Sequence, residues 1–241
     1  NGHLDVVQYL ASRGLRPRQR SIDRAAENGH LEVLKYLRSH NMAPANYVIK
    51  NVVKNGHLEI IKFANLLPGP EDLNNAAENG HLEIVKYLAS LRPPVLPSLG
   101  TLSRVAARGF LEIVKYLVSV GQSLQPRDAV LAAVDGHLDI IKYMVSLGIT
   151  PDPRAADTAV ERGHIEVLKY LVSLGILPSK ERAPDVAVKN LHLDILEYLV
   201  SLGMRPSSNA ASIANRSEQD MYIGGPQRKI AMLNYLSSLG I

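Results

Sequence analysis

Eight histidines are the residues of this 241-residue chain whose type could do chemistry. An imidazole can ligate a metal ion or transfer a proton near neutral pH. Seven of the eight, however, occupy one position of a recurring element: His3, His30, His57, His81, His137, His164 and His192. Successive copies fall in successive structural layers about 8–10 Å apart, too far to share one metal ion. In one further copy, Phe110 stands where the other copies have histidine. We therefore predict a structural role for this histidine, at a turn and the start of a helix, with no metal and no cofactor.

Other catalytic arrangements do not stand out from the sequence. The chain contains no cysteine, which excludes disulfides, thiolate metal sites and a cysteine nucleophile. No carboxylate pair, Ser-His-Asp set or glycine-rich phosphate loop is discernible. Acidic and basic residues recur three positions apart, as in Glu32 and Lys35, a pattern typical of ion pairs on an exposed helix face. We predict that the chain is not an enzyme.

The histidines belong to a repeat with a basic period of 27 residues. Each copy carries a Gly-His-Leu-Asp/Glu element, and an aromatic residue follows six positions after the histidine. Before the glycine, apolar residues recur at i, i+3 and i+4, as in Ile22, Ala25 and Ala26, which predicts a first helix. A second helix begins near the histidine and closes at a further glycine. The residues that suit the N-caps of first helices are Ser21, Asp72, Thr101 and Asp128.

A helix pair of this size cannot bury its apolar stripe alone, so the copies must stack on one another. We expect one array of about nine units over residues 1–241, with irregular segments at 92–101 and 207–227. We also expect this array to be part of a longer chain.

Residues 25–37, Ala-Ala-Glu-Asn-Gly-His-Leu-Glu-Val-Leu-Lys-Tyr-Leu, resemble the first-helix end, turn and second helix of an ankyrin repeat, and residues 76–88 nearly copy them. The period is shorter than the 33 residues usual for that family, and residues 20–23 replace its Thr-Pro-Leu-His. The resemblance implies an all-α solenoid of ankyrin-like helix-turn-helix repeats with short loops and little or no β-hairpin. The style of repeat also resembles the ankyrin proteins of giant DNA viruses of amoebae.

First-helix positions that vary between repeats are the candidates for partner binding. With Ile22, Ala25 and Ala26 buried, we expect Asp23, Arg24 and Glu27 to face outward, and in ankyrin-like stacks this face lines a concave groove. One set of equivalent residues is wholly apolar, which indicates either a contact patch or a helix covered by a loop such as 92–101. The predicted partner-binding residues are Val130, Leu131, Val134, Arg104, Asp157, Thr158 and Val186.

The predicted function is a non-enzymatic protein-protein interaction module that presents a variable concave helical surface. Two alternatives stay open: a structural component of a virus particle or other assembly of several chains, and a substrate adaptor for a ubiquitin ligase through a domain outside this segment. The net charge of +4 is a mild excess, so we expect protein partners rather than nucleic acid. No apolar run reaches the roughly 18 residues of a membrane span. We expect an intracellular location in a host cytoplasm, or a virion.

Overall fold

The structure is a computed structural model, and it describes residues 2–217 and 225–241. These residues form seventeen α-helices and one short 3-10 turn, and they contain no β-strand. The predicted all-α fold is therefore confirmed. The chain divides into two compact units, residues 1–101 and residues 102–241.

Unit 1 contains helix pairs joined by short loops. Its helices are α1 (Leu4–Ser12), α2 (Gln19–Glu27), α3 (Leu31–Ser39), α4 (Ile49–Lys54), α5 (Leu58–Ala64), α6 (Pro70–Glu78) and α7 (Leu82–Ser90). The 3-10 turn Asn46–Val48 directly precedes α4, and α8 (Thr101–Ala107) begins at the last residue of the unit.

Unit 2 continues the same alternation of first and second helices. Its further helices are α9 (Leu111–Ser119), α10 (Asp128–Val134), α11 (Leu138–Ser146), α12 (Arg154–Arg162), α13 (Ile165–Ser173), α14 (Ala183–Lys189), α15 (Leu193–Ser201), α16 (Ala210–Asn215) and α17 (Gly225–Ser238). The segment 207–227 thus includes α16 and the start of α17, while residues 218–224 lie outside the described residues. No helix is assigned within residues 92–100.

In unit 2 successive first helices pack directly on one another, and the buried side chains of α10 are small. Helix α10 packs against its own second helix α11 and against the next first helix, α12, and α12 packs in the same way against α13 and α14. Ala129, Ala132 and Ala133 are fully buried in α10, so their methyl groups let the neighbouring helices approach closely. The second helices fill the space beside them with Ile, Val and Leu, as at Ile140 and Ile141.

The repeated aromatic residue joins successive second helices. The ammonium of Lys142 on α11 lies 5.6 Å from the ring centroid of Tyr170 on α13, and Lys62 has the same relation to Tyr87 in unit 1. Both distances fit a cation–π contact. The ring of Tyr170 is only half-buried, so it lies at the edge of the stack rather than in its core.

The first helices do not begin where the sequence predicts. Helix α2 has Arg18 as its N-cap and α6 has Gly69, so the N-caps predicted at Ser21 and Asp72 are wrong. Asp72 lies in the first turn instead, and its carboxylate accepts the backbone N–H of Gly69 at 2.8 Å. Asp128 likewise begins α10 and accepts the N–H of Gln125. An acid at either position compensates the unpaired N–H groups of a helix start, so the residue type alone did not distinguish the two positions.

The glycine of one repeat and the histidine of the next form a contact between layers. Gly136 has φ of +77°, and a Cβ added to it would lie 2.6 Å from Nδ1 of His164, closer than van der Waals contact allows. The His164 ring also donates its Nε2–H to the carbonyl of Val134 at 3.0 Å. The same approach recurs at Gly2, Gly29, Gly56, Gly109 and Gly163. This histidine is therefore structural, as predicted, but it acts on the preceding repeat as well as on its own helix.

One repeat has a side chain at the turn. Leu191 stands where seven other copies have glycine, with φ of +56°. The hydroxyl of Ser217, just after α16, donates to the carbonyl of Lys189 at 2.8 Å, as the amide of Asn190 donates to the carbonyl of Glu161 one repeat earlier. The ends of successive first helices are thus joined by side chains other than histidine as well.

Changing Gly136 tests this contact against a matched glycine. We expect Gly148→Ala to lower the free energy of unfolding by about 1 kcal/mol, because Gly148 also has φ of +77° but an added Cβ would meet nothing within 4 Å. Gly136→Ala should cost about 2–3 kcal/mol, since the His164 ring must also move and lose its hydrogen bond. Urea denaturation measures both. Equal losses at the two glycines would contradict the contact.

The same histidine position makes stability depend on pH. Burial lowers the pKa of His192 below its ordinary value, and the hydrogen bond to the carbonyl of Glu161 offsets this only in part. The folded chain therefore resists a proton that the unfolded chain accepts below about pH 6.5.

We expect the free energy of unfolding to fall as the pH is lowered from 7.5 towards 5, and His192→Gln to reduce this slope. Urea titrations at several pH values measure the slope for both proteins. An unchanged slope in the variant would show that His192 does not contribute to it.

Candidate functional site

The candidate site is the outward face of three successive first helices in unit 2. Helix α10 contributes Val130, Leu131 and Val134, and the next two helices contribute Asp157 and Thr158 on α12 and Val186 on α14. Because α10 packs on α12 and α12 on α14, these predicted residues lie along neighbouring helices. Arg104, the remaining predicted residue, is exposed on α8.

Leu131 is the most exposed apolar side chain of this face. It is 39% accessible, whereas Val130 and Val134 are half-buried beside it. The fully buried alanines hold the opposite side of α10 against the stack. A loop covering α10 would bury Leu131, so the observed exposure favours the contact-patch interpretation.

Helices α12 and α14 border this apolar patch with mixed residues. Thr158 is half-exposed, and its hydroxyl donates to the carbonyl of Arg154 within the same helix at 3.0 Å. Its methyl group remains the part that could contact a partner. Val186 is half-exposed at the equivalent position of α14, so Leu131, Thr158 and Val186 occupy one repeat position on three successive helices.

In α12 and α14, the residue just before the member of this row holds a loop in place, which the sequence did not predict. Asp157 accepts the backbone N–H of Ser179, in the loop before the next first helix, at 2.7 Å. The same bond occurs in other repeats, where the backbone N–H of Ala45 donates to Asp23, that of Ser98 to Asn74 and that of Ser207 to Asp185. Asp157, predicted as a partner-binding residue, is therefore also a loop anchor.

Asp23 corrects the prediction that this position faces solvent. The residue is buried, and its carboxylate also accepts hydrogen bonds from Gln19 and from the hydroxyl of Tyr47. Burial raises the pKa of Asp23, but the bonds from Tyr47, Ala45 and Gln19 outweigh it, so the pKa lies below its ordinary value. The partner loop lies 22 residues further on, beyond the reach of a local helical pattern.

Val130 stands at the equivalent position of α10, and its side chain cannot accept a hydrogen bond. The loop that follows α11 is attached through its backbone instead, since the N–H of Asp152 donates to the carbonyl of Pro126 at 3.0 Å. The apolar identity of Val130 is thus compatible with stacking, and it extends the apolar patch of Leu131 by one residue.

Within residues 2–217 and 225–241, no three His, Asp or Glu side chains are grouped closely enough to hold a metal ion. None of the helices described there is long and apolar enough to cross a bilayer.

Two substitutions of Asp157 distinguish a loop anchor from a surface residue. We expect Asp157→Ala to lower the free energy of unfolding by about 1–2 kcal/mol, because the Ser179 N–H loses a charged acceptor. Asp157→Asn should stay within about 0.5 kcal/mol of the parent, since Asn74 makes the same bond with its amide oxygen. Urea denaturation compares the two. If Asp157→Ala had the same free energy of unfolding as the parent, Asp157 would not be a loop anchor.

Comparisons with known proteins agree with the repeat architecture. A family profile described as Ankyrin repeats (3 copies) matches residues 73–157, and another, Ankyrin repeats (many copies), matches residues 22–64. No curated protein matches the sequence significantly.

Two solved structures are similar at low identity. The human ASB11 ankyrin repeat domain has a TM-score of 0.48 at 16% identity, and the match covers 90% of this chain and 98% of that one. The pentatricopeptide repeat protein PPR10 from maize has a TM-score of 0.39 at 15% identity, over 97% of this chain and 41% of that one.

The comparisons do not bear on the giant-virus resemblance, on a place in a virus particle or on a ubiquitin-ligase adaptor. The two family profiles together match more than half of the chain. The chain belongs to the ankyrin-repeat family, whose members are in general non-enzymatic protein-interaction modules.

Proposed function

We propose that this protein binds a protein partner through the face of α10, α12 and α14, with Leu131 as the apolar anchor. The observation that carries the proposal is an exposed leucine flanked by two valines on a helix whose other side is fully buried. The fold explains the buried alanines of α10, but stacking does not require its outward side to be apolar. Exposed apolar patches on a folded surface commonly mark interaction sites.

The arrangement suits a partner segment that lies across successive repeats. Leu131, Thr158 and Val186 share one repeat position, and neighbouring packed helices are about 8–10 Å apart. One apolar side chain of the partner can therefore contact Leu131 while its flanks contact α12 and α14. Burying the exposed part of Leu131 contributes about 1 kcal/mol, and the half-buried valines add to this.

Charged residues next to the patch would select the partner rather than supply the main affinity. Glu161 on α12 and Lys189 on α14 are exposed and opposite in sign. Exposed charges mainly influence the association rate and the choice of partner. Because the net charge is only +4, we expect this partner to be a protein rather than a nucleic acid.

Affinity capture from the native source with three baits tests the proposal. A protein retained by the parent chain should be lost from Leu131→Asp, because a carboxylate in the centre of an apolar contact must be desolvated. It should be kept by Leu99→Asp, the same change at a leucine that is 96% exposed in residues 92–101. Mass spectrometry of the three eluates identifies such a protein.

The melting temperature of Leu131→Asp must stay within about 2 °C of the parent for this result to count, since an exposed site costs little stability. A large fall would instead show that Leu131 is part of the core. A captured protein retained equally by all three baits would exclude the α10 face as its binding site.

A further inference from the structure

The second-helix ends of unit 2 form another apolar surface, on different residues from the α10 face. The C-cap residues of α9, α11, α13 and α15 are all apolar and exposed: Val120 (48%), Leu147 (44%), Leu174 (41%) and Leu202 (40%). These four residues, 27 or 28 positions apart, are here called the apolar ridge. Between α11 and α13 a cavity of about 220 Å³ opens beside the ridge, lined by residues that include Val145, Ile149, Leu174 and Ile176.

The fold does not require apolar residues at these C-caps. Gly148 and Ile149 close α11 by donating their N–H groups to the carbonyls of Val145 and Met144, a helix ending whose apolar contact involves Ile149 rather than Leu147. In unit 1 the C-caps of the second helices are Arg13, His40, Asn65 and the half-buried Leu91, so three of the four are polar. A cation there interacts favourably with the helix dipole, so four apolar C-caps in succession run against the local electrostatic preference.

The ridge lies in a part of the sequence without charge. Residues 116–126, 143–151, 170–179 and 198–204 contain no Asp, Glu, Lys or Arg, although such residues make up 21% of the chain. Of the matching segments of unit 1, residues 9–18, 36–44 and 87–98 contain arginine, and residues 63–70 contain no charged residue. Depletion of charge is the compositional mark of the centre of a protein interface.

The size of the ridge argues against a second copy of this chain as its occupant. Four side chains that are 40–48% exposed leave on the order of 300 Å² of apolar surface. A stable interface takes about 800 Å² from each partner. A single helical segment is the appropriate size, and seven residues of an α-helix rise about 10.5 Å, close to the distance between packed layers.

The loops that leave the ridge add a basic rim. Arg127, Lys180 and Arg205 are exposed, and no ion-pair partner for them occurs among the described residues, whereas Arg182 shares a small cavity with Glu161 and Val186 on the first-helix side. Glu181 is the acidic exception, and Asp152 and Arg154 neutralise each other at 2.7 Å. A segment that covers the ridge would therefore be favoured by acidic residues along the edge that faces the loops.

We propose that the apolar ridge binds an acidic amphipathic α-helix of another protein, which places an apolar side chain about every seventh residue against successive C-caps. Leu147 and Leu174 are the central contacts because the cavity lies between them. The basic rim orients the helix by attracting its acidic edge.

Selection of peptides from a random 24-residue display library tests the proposal. The library is selected on the folded chain and depleted on Leu147→Arg/Leu174→Arg, a variant that copies the residue type of Arg13. Surviving peptides should carry apolar residues at a seven-residue spacing with Asp and Glu beside them. A synthetic survivor should become helical on binding and bind the double variant at least ten-fold more weakly.

Two matched variants separate the ridge from the other features. Lys180→Ala/Arg205→Ala should weaken the same peptide three- to ten-fold at low salt and leave it unchanged in 0.5 M NaCl. Leu131→Asp should not change its affinity, so this result is independent of the α10 face. The double arginine variant should keep the melting temperature of the parent, because arginine suits a helix C-cap.

Several outcomes would overturn the proposal. The ridge does not bind a helix if no peptide survives depletion, or if survivors are proline-rich or basic. Sedimentation that shows a dimer abolished by the double variant would assign the ridge to a second copy of the chain. Binding of phosphatidylserine vesicles that the double variant loses would assign it to an anionic membrane surface.

Discussion

A glycine without a Cβ, facing the imidazole of the next repeat, is the contact on which the stacking in both units depends. The glycine is needed twice, once for a positive φ at the helix end and once for the space that the ring occupies. The repeat tolerates single exceptions to the pair: Phe110 stands at the histidine position of one copy, and Leu191 stands at the glycine position of another, where it keeps the positive φ of the turn.

The same contact accounts for the carbonyl groups at the ends of first helices, which lack partners within their own helix. The carbonyls of Val134 and Glu161 receive histidine N–H groups, and that of Lys189 receives the hydroxyl of Ser217. Because these bonds involve backbone acceptors, they do not depend on which side chain stands at the helix end. The side chains of the first helix are therefore free to differ between repeats, as Val134 and Glu161 do.

Local periodicity was enough to predict the helix pairs, since the buried residues of each helix recur at helical spacing and do so in every copy. It could not predict the role of Asp23 or Asp157, because each bonds a loop 22 residues away and its own helix gives no sign of that loop. It also misplaced the start of α6, since Asp72 can satisfy a backbone N–H either as N-cap or three residues later. On the site, the pattern identified α10 as apolar on both sides but could not tell whether Leu131 was covered.

The structure has two kinds of exposed position, and they differ in whether the fold favours a particular residue type there. On the outward face of α10 the fold is indifferent, so an apolar residue such as Leu131 costs only its exposure to water. At the second-helix C-caps the helix dipole favours a cation, as at Arg13, and a leucine forgoes that contribution. The loss is a few tenths of a kcal/mol or more at each position, and it is repeated at four consecutive caps.

A repeated departure from the local preference needs a cause outside the helix, and a bound segment that covers all four residues would supply it. By this reasoning the C-caps, although less apolar in total than a helix core, are the stronger sign that unit 2 is specialised for contact with another molecule.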